Sequence, residues 1–269
     1  MKRLLKAGTA VAALALVLAG CGSTGSDNTG SGDDNAQAAD YTVVAGKLTV
    51  CADVPYPPFE DFDDSTASGF TGFDVDLVQA IADRLDLELV MMDSDFDALQ
   101  SGLVLTSDQC DMGASAITIT EARKANIDFA EPYYDSLQSL LVKTSSGIAS
   151  LDDLAGKTIG VQSGTTGKHF AEENAPASAT LLDLPSDGDL WPALQAGQID
   201  AILQDYPVNL AHVQADSNYA VVQQWTTDEQ YGFAFPKGRR TELRQDVSQA
   251  LQAMRDDGTY DTIYNRYFG

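Results

Sequence analysis

The sequence predicts an α/β protein built as two parallel-sheet lobes. Three observations carry this reading. Apolar strand runs alternate with helical periodicity as βαβαβ from Leu48. The same pattern restarts at Thr158, and about 225 residues from Ala45 onward are enough for two cores where one typical domain needs about 100 to 150. Polar residues also collect just past the carboxyl ends of the strands, where open α/β sheets present ligand-facing groups.

The first 21 residues read as an export signal. Lys2, Arg3 and Lys6 precede an apolar stretch, Ala7 to Gly20, whose 14 residues fall short of a membrane-spanning helix and of the about 20 that such a helix needs. Its end, Leu18-Ala19-Gly20-Cys21, is of the lipoprotein kind, which makes Cys21 the lipidated first residue of the mature chain. An ordinary signal peptide followed by an incidental cysteine is the alternative. Residues 22–44 read as a disordered tether, because Gly22 to Ala39 offers no large apolar residue to offset the entropy of ordering.

The first unit then runs from a strand, Leu48 to Val54, into a helix whose apolar positions Val78, Ile81, Ala82 and Leu85 share a face. A strand at Leu87 to Met92, a helix around Phe96 to Leu105 and a short buried strand at Met112 to Ala116 follow. In the second unit the strands are Thr158 to Val161, Thr180 to Leu184 and Ala201 to Leu203, with helices Thr166 to Asn174 and Leu190 to Ala196 between them. Helices near Pro207 to Val213, Thr241 to Arg255 and Thr259 to Tyr267 complete the set.

Charge and composition exclude several function classes. The chain carries −24. Removing the leader leaves 13 basic against 40 acidic residues, or −27. Nucleic acid is not a partner for such a chain, since phosphate binding needs clustered Lys and Arg. The acidity favours solubility and keeps the domain off anionic lipid. His169 and His212 are the only histidines and no GxSxG is present, which gives a Ser–His hydrolase little support. Gly164-Thr165-Thr166 lacks the spacing of a phosphate loop. The acidic stretch Asp61, Asp63, Asp64 reads as a solvated turn, because its glycine and glutamate do not fall where a calcium loop needs them. Neither a cofactor nor a metal site is expected. Cys51 and Cys110 are the cysteines left after Cys21, and in an exported chain adjacent strands would bring them together as a disulfide; two buried free thiols are the alternative.

The segment Ser115 to Tyr134, SAITITEARKANIDFAEPYY, is the richest in chemistry. Thr118 and Thr120 are hydroxyl residues suited to cap a helix beginning near Glu121, and Arg123 falls in its first turn, an arrangement that suits a carboxylate. Alone, Arg123 would read as a surface arginine. The strand ends nearby supply Asp53, Gln162 to Thr166 and Asp205, so an acid and a guanidinium face each other across a cleft between the lobes. Asp205, just before Tyr206-Pro207, reads equally as a helix cap. Tyr56, Phe59 and Phe96 read as core aromatics or as pocket walls.

The Arg123 segment resembles the signature of bacterial extracellular solute-binding proteins of family 3, the binding components of polar amino-acid ABC importers. The resemblance extends over nearly all of Lys47 to Gly269. It rests on Asp53-Val-Pro-Tyr-Pro-Pro-Phe59, Gly72-Phe-Asp-Val-Asp-Leu77, the Arg123 segment, Gly160-Val-Gln-Ser-Gly-Thr-Thr166, Asp200-Ala-Ile-Leu-Gln-Asp205 and Tyr231-Gly-Phe-Ala-Phe-Pro-Lys-Gly238, in that order. It implies a two-lobed periplasmic-binding-protein-like fold of type II. Lobe 1 would comprise residues 45–136 plus 235–269 and lobe 2 residues 137–234, with hinge crossings near Ser139 to Val142 and Tyr231 to Ala234.

By resemblance, Arg123 binds a ligand α-carboxylate with help from Thr118 and Thr166, while Asp205 and the Ala116 carbonyl hold the α-ammonium. Asp53, Tyr56, Phe96 and Gln162 set side-chain selectivity, and Ser115, Gly164 and Thr165 complete the expected site. Phe59 stays structural. A carboxylate at Asp53 welcomes a cation or an amide and repels another carboxylate, so glutamine or a basic amino acid is preferred. Gln162 suits an amide slightly better. The implied function is a non-enzymatic, extracytoplasmic, lipid-anchored monomer that closes on a polar L-amino acid and delivers it to a permease and ATPase complex. A sensor presenting its closed form to a receptor and a dehydratase-like enzyme on the same fold are the alternatives.

Overall fold

The computed structural model describes residues 41–269. The expected leader, the lipidated Cys21 and most of the tether lie outside these residues. β1 (Lys47–Ala52) is buried from Leu48 onward on both faces, with Thr49 its one buried polar side chain, as suits a central parallel strand. A small hairpin of β2 (Asp61–Phe62) and β3 (Phe70–Thr71) leads into α1 (Phe73–Arg84), which buries Phe73, Leu77, Val78, Ile81 and Ala82. Next come β4 (Glu88–Asp93), α2 (Phe96–Gln100), α3 (Leu103–Thr106), β5 (Met112–Gly113), the single turn α4 (Glu121–Lys124) and β6 (Ile127–Phe129). The long β7 (Tyr134–Lys143) opens the second unit, followed by a 3-10 turn at Leu151–Leu154. β8 (Thr158–Gln162), α5 (Thr166–Asn174), β9 (Thr180–Leu184), α6 (Asp187–Ala196), β10 (Ala201–Asp205), α7 (Tyr206–Ala215) and the 13-residue β11 (Tyr219–Tyr231) continue it. β12 (Ala234–Pro236), α8 (Thr241–Asp256) and α9 (Thr259–Phe268) return to the first unit.

Two five-stranded sheets result, in the orders β4-β1-β5-β12-β6 and β11-β7-β10-β8-β9. In each, three strands run parallel in the expected βαβαβ arrangement: β4, β1 and β5 in one, and β10, β8 and β9 in the other. The sheets are nevertheless mixed, which corrects the all-parallel expectation. β12 enters antiparallel to β5 and β6, and β7 lies antiparallel to both β10 and β11. These strands belong to the segments that join the two units, so they arrive from the opposite direction and escape the parallel βαβ rule.

The chain passes between the sheets at Ala130–Tyr133 and again at Gly232–Phe233, and the two passages are bonded together. Ala130 N donates to Phe233 O at 3.0 Å and Tyr133 N to Tyr231 O at 2.9 Å. Ser139–Val142, expected at a crossing, instead lies inside the second sheet, paired with β10 and β11 on either side. Strand-like hydropathy alone does not distinguish a buried central strand from a connector. Around the passages Tyr133 stacks on Phe233 at 4.4 Å, and Tyr134 on Tyr231 at 5.5 Å.

The helix expected over Phe96 to Leu105 is broken in two at Gly102, whose φ is +79°. A Cβ there would meet Ile127 Cγ2 at 2.7 Å, so both the left-handed turn and the close approach of β6 call for glycine. α2 packs Phe96 and Leu99 into a cluster with Ile117, Ile127, Cys51 and Cys110. The two cysteine sulfurs are bonded, with Cα atoms 5.8 Å apart and 59 positions apart in sequence.

Replacing both cysteines with alanine releases that cross-link and lowers the unfolding free energy by about 4 kcal/mol in a chain-entropy account. Urea denaturation reads the difference, and a loss below about 1 kcal/mol would show that the bond constrains little.

Candidate functional site

The carboxyl ends of β1, β5, β8 and β10 converge on a small, partly enclosed cavity between the two sheets. It is lined by Asp53, Tyr56, Phe96, Ser115, Ala116, Thr118, Arg123, Gln162, Thr165, Thr166 and Asp205. Gly164, also expected in the site, contributes differently: its carbonyl accepts from Arg123 Nη2 at 3.0 Å. Phe59 is fully buried in the core and packs edge-on against Tyr134 and Tyr231.

Arg123 is only 5% exposed. It belongs to α4, which begins at Glu121 as expected but is only one turn long. Thr120 caps that turn, its Oγ1 accepting from Arg123 N at 3.1 Å, while Thr118 does not cap and instead offers its carbonyl to Arg123 Nη1 at 2.7 Å. The Phe96 ring lies 5.1 Å from the guanidinium carbon, a cation–π contact. Among the described residues no carboxylate comes within 4.0 Å of Arg123. Burial lowers its pKa to about 10, although Asp205 and Glu229 oppose the shift. A buried cation satisfied only by backbone carbonyls is suited to an anionic group entering the cavity.

On the other side stands Asp205, 6% exposed. It occupies the N-cap position of α7 but its side chain makes no cap bond. Instead it accepts from Gln138 Nε2 at 2.5 Å, from Tyr56 OH at 3.1 Å and from Tyr231 OH. Burial raises its pKa, and those donors limit the rise. Gln138 also donates to Glu229 at 2.9 Å. Burial and the nearby Asp205 push Glu229 up to about 7.

Asp53 accepts from Gln162 Nε2 at 2.6 Å. Burial pushes it up to about 7 despite that bond, and Asp93, Asp95 and Asp187 add to the rise. Thr118 and Thr166 bring their hydroxyls within 3.4 Å of each other beside Arg123, and Thr165 caps α5 by accepting from Lys168 N at 3.1 Å. Four pairs thus join the lobes across the cavity: Asp53 with Gln162, Tyr56 with Asp205, Arg123 with Gly164, and Thr118 with Thr166.

Gln138, Glu229 and Tyr231 were not read from the sequence as site residues. Gln138 is paired with Trp225 and Glu229 with Ser136, on long antiparallel strands whose polar content hides any inward-facing position, and an irregularity in the register between them lets the two side chains meet. Tyr231 opens a motif that was noted, yet nothing local marks its hydroxyl as a partner for a carboxylate 26 positions away. In the acidic hairpin loop, Asp63 accepts from the N–H and hydroxyl of Ser65, which closes a local turn. No cluster of three or more metal-ligating side chains occurs among the described residues, nor is any of their helices long and apolar enough to cross a membrane.

Residues 48–269 match the model of the bacterial extracellular solute-binding proteins, family 3. The chain belongs to that family. Relatives include the ABC transporter glutamine-binding protein GlnH of Bacillus subtilis (strain 168), 29% identical, with 94% of this chain and 92% of that protein covered. The arginine-binding extracellular protein ArtP of the same organism is 30% identical, covering 82% of this chain and 86% of its own. Among solved structures, an ancestral arginine-binding protein bound to glutamine superposes with a TM-score of 0.77 at 34% identity, covering 84% of this chain and 99% of that one.

In this family 3 protein the raised acids set the pH dependence of the ligand-free form. A carboxyl whose folded pKa exceeds its unfolded value contributes stability present below the unfolded pKa and lost as pH rises through the folded one. For Asp53 the window runs from about 4 to about 7. A rise from the ordinary carboxylate value to about 7 amounts to about 4 kcal/mol, so Asp53→Asn is expected to raise the ligand-free melting temperature at pH 8 by about 8 °C or more and to change it little at pH 4. Scanning calorimetry at the two pH values checks this, and equal shifts would contradict it.

Proposed function

We propose that this protein is the extracytoplasmic substrate-binding component of an ABC importer and that it captures a polar L-amino acid between its two lobes. The observation that carries the reading is a buried arginine without a carboxylate partner, sharing one cavity with two buried aspartates. An amino acid brings both charges of its backbone into such a site, and each needs a partner once water is excluded. Arg123, with the Thr118 and Thr166 hydroxyls, receives the carboxylate; Asp205 and the Ala116 carbonyl receive the ammonium. Because the contacts come from both units, ligand favours the closed arrangement over an open one.

Asp53 stands at the distal end. Its neighbours Asp93, Asp95 and Asp187 are acidic, so a cationic side chain is favoured there, as in the relatives named for arginine. Glutamine is the second reading, supported by the neutral Gln162 amide and by the glutamine held in the ancestral arginine-binding protein. Catalysis is not part of this proposal: Asp205, held by three donors as a hydrogen-bond acceptor, is suited to receive an ammonium group. In the same reading residues 1–21 direct export and lipidation at Cys21, and residues 22–44 tether a monomeric binding domain to the membrane near its permease. Residues 45–136 plus 235–269 form one moving lobe and residues 137–234 the other.

Calorimetric titration of protein refolded to strip carried-over ligand, against L-arginine, L-lysine, L-histidine, L-glutamine and L-glutamate, tests the reading. Micromolar or tighter binding of a basic amino acid or glutamine, with glutamate excluded, is expected, and silence across the panel overturns it. Losing one partner of a buried ion pair costs about 3–5 kcal/mol, so Arg123→Ala and Asp205→Ala are each expected to weaken binding by about two to four orders of magnitude.

A cation beside Asp53 favours its ionised form and so releases protons. Affinity for L-arginine is therefore expected to rise as pH climbs through about 7. Titrations near pH 6.5 in buffers of different ionisation enthalpy count the protons, and zero release would contradict a direct Asp53 contact.

A further inference from the structure

Two carboxyl groups that the amino-acid site does not use lie fully buried behind its wall: those of Glu60 and Asp74. Glu60 follows Phe59 in the loop after β1, and Asp74 is the second residue of α1. The backbone of Asp74 is bonded to that of Phe59, the residue before Glu60. Asp74 N donates to Phe59 O at 3.0 Å. A Cβ on Gly72 would lie 2.1 Å from Phe59 O and 2.8 Å from the Glu60 Cα, so glycine at a φ of +134° is what admits the approach.

Each carboxyl spends one oxygen on the cavity wall. Ser115 Oγ donates to Glu60 Oε1 at 2.5 Å while accepting from Asp53 N at 3.0 Å. Asp74 Oδ2 accepts from Ala116 N at 2.9 Å and from Tyr133 OH at 2.6 Å. The other oxygen of each, Glu60 Oε2 and Asp74 Oδ1, has no hydrogen-bond partner among the described residues. Neither group belongs to an ion pair among the described residues. The titratable groups that face them are Asp53, Tyr56, Tyr133 and Tyr260, none of which supplies a positive charge.

Two buried carboxyl groups that act on one another, with no cation facing them among the described residues, are not both kept ionised. We propose that Glu60 and Asp74 share one proton between them, carried on Glu60 while Asp74 stays ionised, and that the pair is a positioning device holding Ser115 and Ala116 in the cavity wall. The assignment follows from the donors. Asp74 already receives an N–H and an O–H and is the better anion, whereas Glu60 receives one hydroxyl. Burial lifts both groups in the same sense, Asp74 to about 7 and Glu60 well above its ordinary range, with the Asp74 charge as the next cause for Glu60. Ala116 has need of such a hold. It adopts a φ of +45°, a conformation that L residues keep only when their surroundings fix it, and Asp74 is the group that fixes its N–H.

Infrared spectroscopy of the full chain, ligand-free and with its glutamates carboxyl-labelled with ¹³C, tests the pair without any variant. At about pH 8 the exposed glutamates are ionised, and Glu229, raised only to about 7, has largely titrated. One labelled carboxylic-acid C=O band is expected to remain, and Glu60→Gln is expected to remove it. The glutamine amide replaces the shared proton, so that variant should keep affinity for L-arginine within about threefold, while Asp74→Ala, which removes the acceptor, should lower it at least about tenfold. Absence of the labelled acid band, or its persistence in Glu60→Gln, overturns the proposal. The infrared result involves no ligand, so its failure is separate from a failure of the amino-acid reading.

Discussion

The guanidinium of Arg123 is buried and, among the described residues, unmatched by any carboxylate within salt-bridge reach. A buried charge without its counter-ion is costly in an apolar interior. Here the cost is moderated rather than removed: two backbone carbonyls accept from it, an aromatic ring lies against it, and two acids act on it from a distance. One of those carbonyls comes from the opposite lobe. The arginine therefore reads the approach of the two sheets directly, and an anion between them completes what the protein leaves open.

The acids across the cavity show the complementary imbalance. Asp53, Asp205 and Glu229 all have raised pKa values because they are buried with too little positive charge nearby. A ligand carrying both charges corrects both sides at once, and this links recognition to closure without any further device. Beneath the wall, Glu60 and Asp74 repeat the acidic theme where no ligand reaches, which is why a shared proton is the solution there. The fold itself is kept rigid elsewhere, by the disulfide behind α2 and by the aromatic stack at the passages between sheets.

Much of this was legible in the sequence. The βαβαβ repeats gave themselves away because central parallel strands such as Leu48 to Ala52 are apolar at all but one position, and because α1 and α8 bury residues at helical spacing. The cavity residues stood at strand ends, where topology alone directs attention. What escaped was non-local. Antiparallel β7 and β11 arise from connectors that pair with each other, and β7 with β10, across long stretches of sequence, and the break at Gly102 depends on the approach of Ile127 from a later strand. The roles of Gln138, Glu229 and Tyr231 follow from contacts with residues far away in the chain, for which local pattern carries no signal. Asp205 illustrates the same limit: its position resembles a helix cap, and only the three-dimensional arrangement turns its side chain toward Tyr56, Gln138 and Tyr231.

The most direct test of the central claim is a coupling measurement between Arg123 and the ligand carboxylate. Affinities of the best-binding amino acid and of its α-amide, measured by calorimetry for the natural protein and for Arg123→Ala, form a double-mutant cycle. If the buried guanidinium is completed by the ligand carboxylate, amidation weakens binding by at least about 100-fold in the natural protein and by only a few-fold in the variant. Equal losses in the two proteins would contradict the account, since the carboxylate would then be recognised by something other than Arg123.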